Sequence, residues 1–368
     1  MDLFQSLPRD EESDLLRLQK LYARYGYDKF RMSKFEDYTL YLQNKDFLKG
    51  GNIITFNGPD GRLLALKQDV TLSIVKNAQD ENAPCKVYYT ENVYRASDDA
   101  NDIREIPQAG VEYIGLVDAY ATSEVIRLAI ESLATVSDRY LLGLSHMGLV
   151  RGLLDEAGFT LDHRLQALEC IRNKAAHELR DLCRELGTDD AIEQKLCALS
   201  TVFGKPEDCF DTLSSMIVND KTSSAVQELR DVYASLCETG HSDCVRIDFS
   251  VANDMHYYNG ITFQGFVDGT PKSVLSGGRY DELLRQFGRQ SGAIGFAVYL
   301  DLLPYSRSGN DSAADVLILY NPQDAQGLAA AIQQLQKNGV RVRAQNKRTA
   351  GVTYEKTLIF SDGRLHEA

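Results

Sequence analysis

The sequence predicts an α+β fold in which an antiparallel sheet is flanked by helices, with a helical insertion and a small C-terminal α/β unit. Three observations lead to this prediction. Two pairs of short β-rich runs between residues 53 and 114 indicate two antiparallel hairpins. Residues 150–240 carry apolar side chains at helical spacing almost throughout. After residue 313, short apolar runs alternate with one helical pattern.

The composition bounds the class of protein. The chain has 368 residues, of which 43% are hydrophobic and 25% charged, and it has no long uncharged apolar run. These values indicate a soluble, globular protein of two or three domains without a membrane span. The formal net charge of −13 argues against a protein that works mainly by holding a nucleic-acid backbone. The opening MDLFQSLPRDEESDLL is acidic where a signal peptide would be basic and then apolar, so we expect a cytoplasmic protein.

The cysteines and histidines show no metal-binding pattern. The seven cysteines are odd in number, scattered and never spaced as CxxC. Buried free thiols in a reducing compartment fit this pattern better than zinc ligands or disulfides. The six histidines form no HxxxH or HExxH pair, so we expect no metal and no cofactor.

The N-terminal region predicts a helix, a strand, a second helix and the first hairpin. Residues 10–25 have leucines at helical spacing, acids first and bases later, which predicts an amphipathic helix closed by Gly26. The segment KFRMSKFEDYTLY predicts a strand before a second helical segment. Apolar residues at 53–56 and 63–66 flank the turn NGPDG, which predicts the first hairpin.

The second strand of this hairpin leads to Asp69 and Thr71, and the helical pattern LSIVKNA follows. A carboxylate and a hydroxyl two residues apart can both face the ammonium group of a ligand. Either residue can equally cap the helix. Both interpretations stay open from this stretch alone.

A second hairpin is predicted from the β-rich runs 87–94 and 108–114, which a long polar loop separates. Gln108, Gly110 and Glu112 share one face of the outgoing strand by period two, and Arg95 ends the incoming strand. Buried carboxylates and amides need partners. This polar face is therefore either exposed to solvent or the lining of a pocket.

The stretch 248–303 predicts two strands, ITFQGFV and AIGFAVYL, with a helical pattern from Tyr280 to Phe287 between them. The pair Gly277-Gly278 precedes that helix, and we expect it to form a tight turn. Glycines this close together let the backbone approach a ligand. Ordinary packing glycines are the alternative.

These three stretches resemble the class II aminoacyl-tRNA synthetase catalytic fold, and in particular its histidyl branch. LALKQDVTLSIVKNA is similar to the family's histidine-binding strand, Leu-Arg-Pro-Glu/Asp-x-Thr. Tyr94-Arg95, Arg104-Glu105 and the run 108–112 resemble the second signature motif. The segments YYNG at 257–260, GGRYD at 277–281 and GFA at 295–297 resemble the histidyl-specific motif.

The chain also departs from the synthetases. Where they read Arg-Gly-Leu-Asp, it has Asn253, Asp254, Met255 and His256. The family uses that arginine on the carboxylate and α-phosphate during adenylate formation, and asparagine lacks its fixed charge and forked donors. The third motif ends Gly-Leu-Glu-Arg in the family, whereas this chain reads Tyr299, Leu300, Asp301 and Leu302. Leucine cannot bind a triphosphate.

The resemblance is therefore to the synthetase paralogues that serve as regulatory subunits of ATP phosphoribosyltransferase, the first enzyme of histidine biosynthesis. The segment around His146 and Gly148 is similar to their Gly-His-x-Gly pattern, with Ser145 in place of the first glycine. The resemblance implies a non-catalytic, allosteric subunit with histidine as effector and the short-form catalytic subunit as partner. It also implies a homodimer within a hetero-oligomer, without a tRNA or membrane partner. A functioning histidyl-tRNA synthetase and a stand-alone histidine-sensing module are the alternatives.

The same resemblance implies a histidine-binding set. Asp69 and Thr71 would hold the ammonium group, Arg95 the carboxylate, and Glu112 and Tyr258 the two ring nitrogens. No catalytic residue is expected. The whole set is Asp69, Thr71, Arg95, Gln108, Glu112, Tyr257, Tyr258 and Tyr280.

Two domains are expected. The first is class II synthetase-like and spans 1–305, with the helical insertion at about 150–240. After the polar linker SRSGNDS, the unit at 313–368 reads as β-α-β-β with its first two strands parallel. By resemblance it is a reduced anticodon-binding domain with a docking or stabilising role.

Overall fold

The computed structural model of the chain describes residues 11–48, 53–78, 84–96, 103–252, 255, 257–304, 314–349 and 352–368. The chain divides into two compact units, Met1–Pro304 and Tyr305–Ala368. Asn253, Asp254 and His256 lie outside the described residues, and so does the expected linker at 306–312. Within the described part of the chain, none of the helices combines the length and the hydropathy that a membrane span requires.

The first unit is built on a large sheet. Its strands, β1 to β12 in chain order, are Asp28–Lys29, Phe35–Asp37, Thr55–Asn57, Leu63–Leu66, Cys85–Ala96, Ile103–Gly115, Tyr140–His146, Phe203–Gly204, Val245–Asp248, Ile261–Val267, Leu275–Arg279 and Gly292–Tyr299. Nine of these described strands form one sheet in the order β1-β5-β6-β12-β11-β10-β7-β9-β8, and β2-β4-β3 form a smaller one. The large sheet is antiparallel except at the pairs β1–β5 and β7–β9, which are parallel.

Helices flank this sheet. They are α1 to α11 in chain order: Glu11–Arg24, Tyr38–Gln43, Thr71–Asn77, Ala119–Val136, Met147–Glu156, Leu161–Arg172, Ala176–Glu185, Asp190–Thr201, Pro206–Ser215, Asp220–Glu238 and Asp281–Gln286. The first ends just before Gly26, whose φ of 77° is left-handed and suits glycine, as expected. Helices α5 to α10 form the predicted insertion, and only the short strand β8 interrupts them among the described residues.

Helix α4 and strand β7 lie outside the elements predicted from the sequence. The Asp118 carboxylate accepts a hydrogen bond from the Ala121 backbone N at 2.8 Å and so starts α4. Strand β7 lies between β10 and β9 in the sheet. These two elements carry the chain from the second hairpin to the insertion.

Both predicted hairpins form. Strands β3 and β4 pair antiparallel across the NGPDG turn, and β5 and β6 pair from Cys85 opposite Ile114 to Ala96 opposite Ile103. The strands of the second hairpin are longer than predicted. Helix α3 follows the first hairpin, as expected from LSIVKNA.

The expected tight turn at Gly277-Gly278 is wrong, because both glycines lie inside β11. A Cβ at Gly277 would lie 2.5 Å from the carbonyl oxygen of Gly295, and one at Gly278 would lie 2.7 Å from the Tyr258 ring. The glycines therefore allow a close approach between neighbouring strands and an aromatic side chain. They are packing glycines within a strand, as the alternative held.

A buried cluster joins α3, β5, β6 and α11 and includes all three of the tyrosines expected in the site. The Tyr257 ring packs edge-on against Tyr258, with centroids 4.7 Å apart, and lies 5.5 Å from the Tyr280 ring. Such aromatic pairs add roughly 0.5–1.5 kcal/mol beyond the area they bury. Core packing therefore fixes the positions of these three rings.

The cysteines only partly follow expectation. All seven are free thiols, and Cys183, Cys197 and Cys209 are buried. The expectation of buried thiols is wrong for Cys237, which is exposed near the end of α10. Cys237 lies on the solvent-facing side of the last turn of α10, and its sequence neighbours do not predict that orientation.

The second unit has its own small core. It contains β13 (Val316–Tyr320), α12 (Leu328–Lys337), β14 (Val342–Gln345), β15 (Lys356–Ser361) and β16 (Arg364–Glu367). The sheet order is β14-β13-β15-β16, and β13 and β14 pair in parallel as predicted. Strand β16 was not predicted, although Asp362-Gly363 is a strong hairpin signal. Both residues have positive φ, 52° and 71°, as the tight turn between β15 and β16 requires.

Candidate functional site

A pocket opens beside β6, β11 and β12, next to the start of α3. It has about 400 Å³ of atom-free space, part of it open to solvent. All the residues expected to bind histidine line it, namely Asp69, Thr71, Arg95, Gln108, Glu112, Tyr257, Tyr258 and Tyr280. Gln108 is 5% exposed and Glu112 2%, so their strand face lines a pocket rather than facing solvent.

Strand register places the polar side chains of β6. Glu112 lies opposite Gly295 of β12, and Gln108 lies opposite Tyr299. A Cβ at Gly295 would come 1.8 Å from Oε2 of Glu112. Because Gly295 has no side chain, the Glu112 carboxylate can occupy the space above it.

Glu112 receives donors from two other elements. The Thr71 hydroxyl, at the start of α3, donates to Oε1 at 2.7 Å, and the Tyr280 hydroxyl donates to Oε2. Burial raises the pKa of Tyr280 well above its usual value, and the charge of Glu112 raises it further. Tyr280 therefore stays protonated and remains a donor. Hydrogen bonds to a charged group contribute about 1.5–3 kcal/mol each, so this acceptor organises the pocket floor.

Asp69 caps helix α3, which is one of the two roles that the sequence left open, and it also lines the pocket. Its Oδ1 accepts a hydrogen bond from the Leu72 backbone N at 2.8 Å, in the first turn of α3. The same carboxylate lines the pocket. Burial, followed by the charge of Asp69, raises the pKa of Tyr257 well above its usual value. The carboxylate is thus held by the start of the helix and directed into the site.

Arg95 brings a guanidinium group to the end of β5. Its Nε is buried and has no hydrogen-bond partner among the described residues. A buried donor without an acceptor costs about 1–3 kcal/mol. A carboxylate bound in the pocket would supply that acceptor, and Arg95 can bind it through two parallel hydrogen bonds.

The structure adds lining residues that the sequence did not suggest, among them Tyr89, Ser276 and Tyr299. Tyr89 lies opposite Gly110 on the neighbouring strand. It has the same parity as Arg95 on β5, so period two could have identified it. Burial raises the pKa of Tyr89 well above its usual value, and the charge of Glu112 adds to this.

The pocket thus combines two carboxylates, one guanidinium group and several tyrosine hydroxyls. This set can bind a zwitterion that also carries a ring with hydrogen-bonding nitrogens. Across the described ranges, no group of three His, Cys, Asp or Glu side chains is arranged to hold a metal ion.

The neighbouring end of the sheet is organised differently. Strand β12 runs into a single 3₁₀ turn, Leu300–Leu302, where Asp301 lies 3.4 Å from an Arg104 nitrogen. Burial raises the pKa of Asp301, although the charge of Arg104 opposes this. The Arg104 side chain is 54% exposed. Leu302 is half-buried and offers no charge.

The family comparison agrees with this fold. The model of the family described as histidyl-tRNA synthetase matches residues 5–303. A relative from Oceanobacillus iheyensis, named ATP phosphoribosyltransferase regulatory subunit, is 30% identical over 377 residues, which cover 98% of this chain and 92% of the relative.

Solved structures give the same fold. One from Bacillus halodurans C, described as an ATP phosphoribosyltransferase regulatory subunit/histidyl-tRNA synthetase, has a TM-score of 0.78 at 25% identity and covers 95% of this chain and 93% of that chain. A histidyl-tRNA synthetase from Nostoc sp. PCC 7120 has a TM-score of 0.74 at 20% identity, with coverages of 93% and 83%. The second likeness shows the fold alone. The expected α+β, class II synthetase-like fold is therefore confirmed.

Proposed function

The chain belongs to the histidyl-tRNA synthetase family, in the branch named ATP phosphoribosyltransferase regulatory subunit, and we propose that it binds histidine as a feedback effector for a separate catalytic subunit. The observation that carries this proposal is the convergence of all the expected histidine-binding residues on one pocket. The subunit role rests on the names of the relatives. The effector role rests on the chemistry of the pocket.

Each part of histidine has a suitable partner in the pocket. Asp69 and Thr71 would meet the ammonium group, and Arg95 would meet the carboxylate with a donor that lacks an acceptor in the described structure. Glu112 and Tyr258 would read the two ring nitrogens, and Gln108 would hold the backbone end of the ligand. A site built around polar contacts rejects ligands that leave a buried group unpaired, often by about 10⁴-fold. This selectivity is what separates histidine from other flat side chains.

We propose a non-catalytic role because the charges expected for nucleotide activation are replaced. Leu302 stands where the family has its ATP-binding arginine, and Asn253 stands where it has the arginine of adenylate formation. At the end of the sheet next to the pocket, Arg104 pairs with Asp301. A triphosphate needs fixed positive charge that is aimed at it.

Feedback requires histidine to bind two arrangements of the assembly with different affinity. Such coupling is commonly about 1–3 kcal/mol and is reciprocal, so substrates of the catalytic partner would change histidine affinity by the same factor. The proposed partner is the short-form catalytic subunit of ATP phosphoribosyltransferase. The C-terminal unit, as a reduced anticodon-binding domain, would contribute to docking, and the chain would form a homodimer within the hetero-oligomer.

A functioning histidyl-tRNA synthetase is the second candidate, because the matching family model carries that description over residues 5–303. The two candidates differ in one reaction. A synthetase exchanges pyrophosphate into ATP when histidine is present, whereas a regulatory subunit does not. We expect no such exchange with the purified chain.

Calorimetric titration of the purified chain with histidine tests the effector role. We expect saturable binding of histidine and much weaker binding of phenylalanine, which has a flat ring without nitrogens. Co-purification with the short-form catalytic subunit, followed by assay with added histidine, tests the partner role. Absence of histidine binding would reject the effector role, and robust pyrophosphate exchange would favour the synthetase.

A further inference from the structure

We propose that Arg279 is a positioning residue that links the pocket to helix α10 of the insertion, so that the position of α10 influences histidine affinity. Arg279 does not line the pocket. Its role follows from a continuous set of hydrogen bonds and ion pairs between the two regions. The ligand in this inference rests on the proposed function, whereas the geometry does not depend on it.

The first step is a buried bracket around Asp281, which is 7% exposed. Its carboxylate accepts hydrogen bonds from Arg279 Nε at 2.9 and 3.1 Å, from Asn259 Nδ2 at 3.0 Å and from the Ala293 backbone N at 3.0 Å. In return, Asn259 Oδ1 accepts from the Asp281 backbone N at 2.8 Å. Asn259 directly follows Tyr258 in the chain, and Asp281 directly follows Tyr280. The bracket therefore fixes two walls of the pocket relative to each other.

The second step is the reach of Arg279 away from the pocket. Its Nη1 donates to the Val117 carbonyl oxygen at 3.3 Å and lies 3.8 Å from Oε1 of Glu228 on α10. A Cβ at Gly260 would come 2.9 Å from Cδ of Arg279. The aliphatic part of the Arg279 side chain therefore packs across the backbone at Gly260. Its guanidinium group lies between the Asp281 carboxylate and Glu228 of the insertion.

The third step is the anchoring of Glu228. Its other oxygen, Oε2, lies 2.8 Å from Nε2 of His146. Nδ1 of His146 accepts from the Gly148 backbone N at 3.0 Å, so the ring proton lies on Nε2 and points to Glu228. Burial acts to raise the pKa of Glu228, but the hydrogen bond from His146 and the charge of Arg279 outweigh it, and the pKa lies below its usual value. Glu228 is therefore a charged junction between α10, the start of α5 and Arg279.

These steps give a mechanical consequence. A shift of α10 moves Glu228, which changes the position of Arg279 and hence the bracket that holds the pocket tyrosines. Since Tyr280 donates to Glu112, the pocket floor moves with them. By linkage, any ligand that fixes the pocket restrains α10 in turn. A partner that contacts the insertion can use this route to change histidine affinity.

The first experiment needs no ligand. The full chain is labelled with 3-fluorotyrosine, and the ¹⁹F resonances of Tyr258 and Tyr280 are assigned from Tyr→Phe variants. We expect both resonances to shift in Arg279→Met and Glu228→Gln and to move back toward wild type in Arg279→Lys, which retains the charge. Arg285→Met is the matched control, because Arg285 lies on the same helix as Asp281, is 57% exposed and pairs with Glu282 at 2.6 Å.

The second experiment titrates the same variants with histidine. We expect affinity to fall about tenfold in Arg279→Met and about threefold in Glu228→Gln, with the double variant no weaker than Arg279→Met, because the two act through one connection. The control should bind as wild type does. Additive losses, or unshifted tyrosine resonances in a folded Glu228→Gln protein, would overturn the proposal. If wild type itself fails to bind histidine, the proposed function fails, and the fluorine spectra still decide whether Arg279 positions the tyrosines.

Discussion

The pocket and the adjoining pair of Arg104 and Asp301 lie along the same strands, yet they organise charge in opposite ways. In the pocket, the buried Glu112 carboxylate accepts hydrogen bonds from a hydroxyl of α3 and from the hydroxyl of the residue just before α11. At the neighbouring end, an exposed arginine lies 3.4 Å from a carboxylate. The first arrangement is shielded from water, which strengthens its hydrogen bonds, and the second is screened by solvent and salt.

The two regions differ in how firmly their side chains are held. The buried side is fixed from several elements at once and has a donor, Nε of Arg95, that still lacks an acceptor among the described residues. The exposed side uses its positive charge on a neighbouring acid. The proposed role, in which the chain binds histidine without activating it, would account for this asymmetry. The variants below test it from the strongest expected effect to the weakest.

The strongest expected effect is that of Glu112→Gln. The amide keeps the shape of the side chain but removes the charge that holds the Thr71 and Tyr280 hydroxyls and that would accept from the ligand ring. Loss of two or more charge-assisted hydrogen bonds predicts at least about a 100-fold loss of histidine affinity by calorimetry. Glu105→Gln, an exposed carboxylate on the same hairpin, is the control. If Glu112→Gln bound histidine within threefold of wild type, Glu112 would not be the central acceptor of the site. A tenfold change in affinity corresponds to about 1.4 kcal/mol.

Removal of Arg95 should give a smaller and more selective loss. Arg95→Met deletes the donor that a ligand carboxylate would satisfy, so we expect histidine affinity to fall about tenfold or more. Histidinol, which has no carboxylate, should bind wild type and the variant alike. The variant should be at least as stable to heat as wild type, because it loses a buried donor without an acceptor in the described structure. Equal losses for both ligands would place Arg95 away from the carboxylate.

Local periodicity predicted only part of the pocket lining. Period two on β6 put Gln108 and Glu112 on one face and left open whether that face meets solvent or a pocket. The place of Asp69 beside that face came from the family resemblance. The resemblance then supplied the three tyrosines, which no local pattern could bring together. Tyr89 was missed although the same period-two argument applied to it.

Other features depend on contacts between distant parts of the chain. The space over Glu112 exists because Gly295 lies opposite it on another strand. No local sequence pattern around either residue predicts that pairing. Glu228 reads as an ordinary polar residue of an amphipathic helix, yet it contacts His146 and Arg279. The glycine pair in β11 was misread as a turn, because its need for close strand packing is set by Phe263, Phe296 and Tyr258.

A pH dependence should distinguish the half-buried Glu228 from an exposed carboxylate. The folded-state pKa of Glu228 lies below its usual value. Its stabilising contribution is therefore fully present above the ordinary glutamate pKa of about 4.3 and is lost as the pH falls through the lower, folded value. The difference in Tm between wild type and Glu228→Gln should be largest above about pH 5 and shrink as the solution is acidified. The exposed Glu105, whose pKa is lowered by hydrogen bonds from Asn92 and then Tyr94, should give a smaller difference. A difference independent of pH would show that Glu228 acts through packing alone.

The weakest effect should come from Arg104→Ala. An exposed ion pair of this kind contributes about 0–1 kcal/mol, because water screens its charges and both side chains lose freedom. We expect Tm and histidine affinity to stay near their wild-type values, and 1 M salt to reduce whatever difference remains, since the screening length is then about 3 Å. Asp301 keeps favourable charges nearby from Lys272 and Arg95, which limits the cost of losing its partner. A clear fall in histidine affinity in this variant would mean that the exposed end takes part in ligand binding, and the asymmetry between the two regions would then no longer hold.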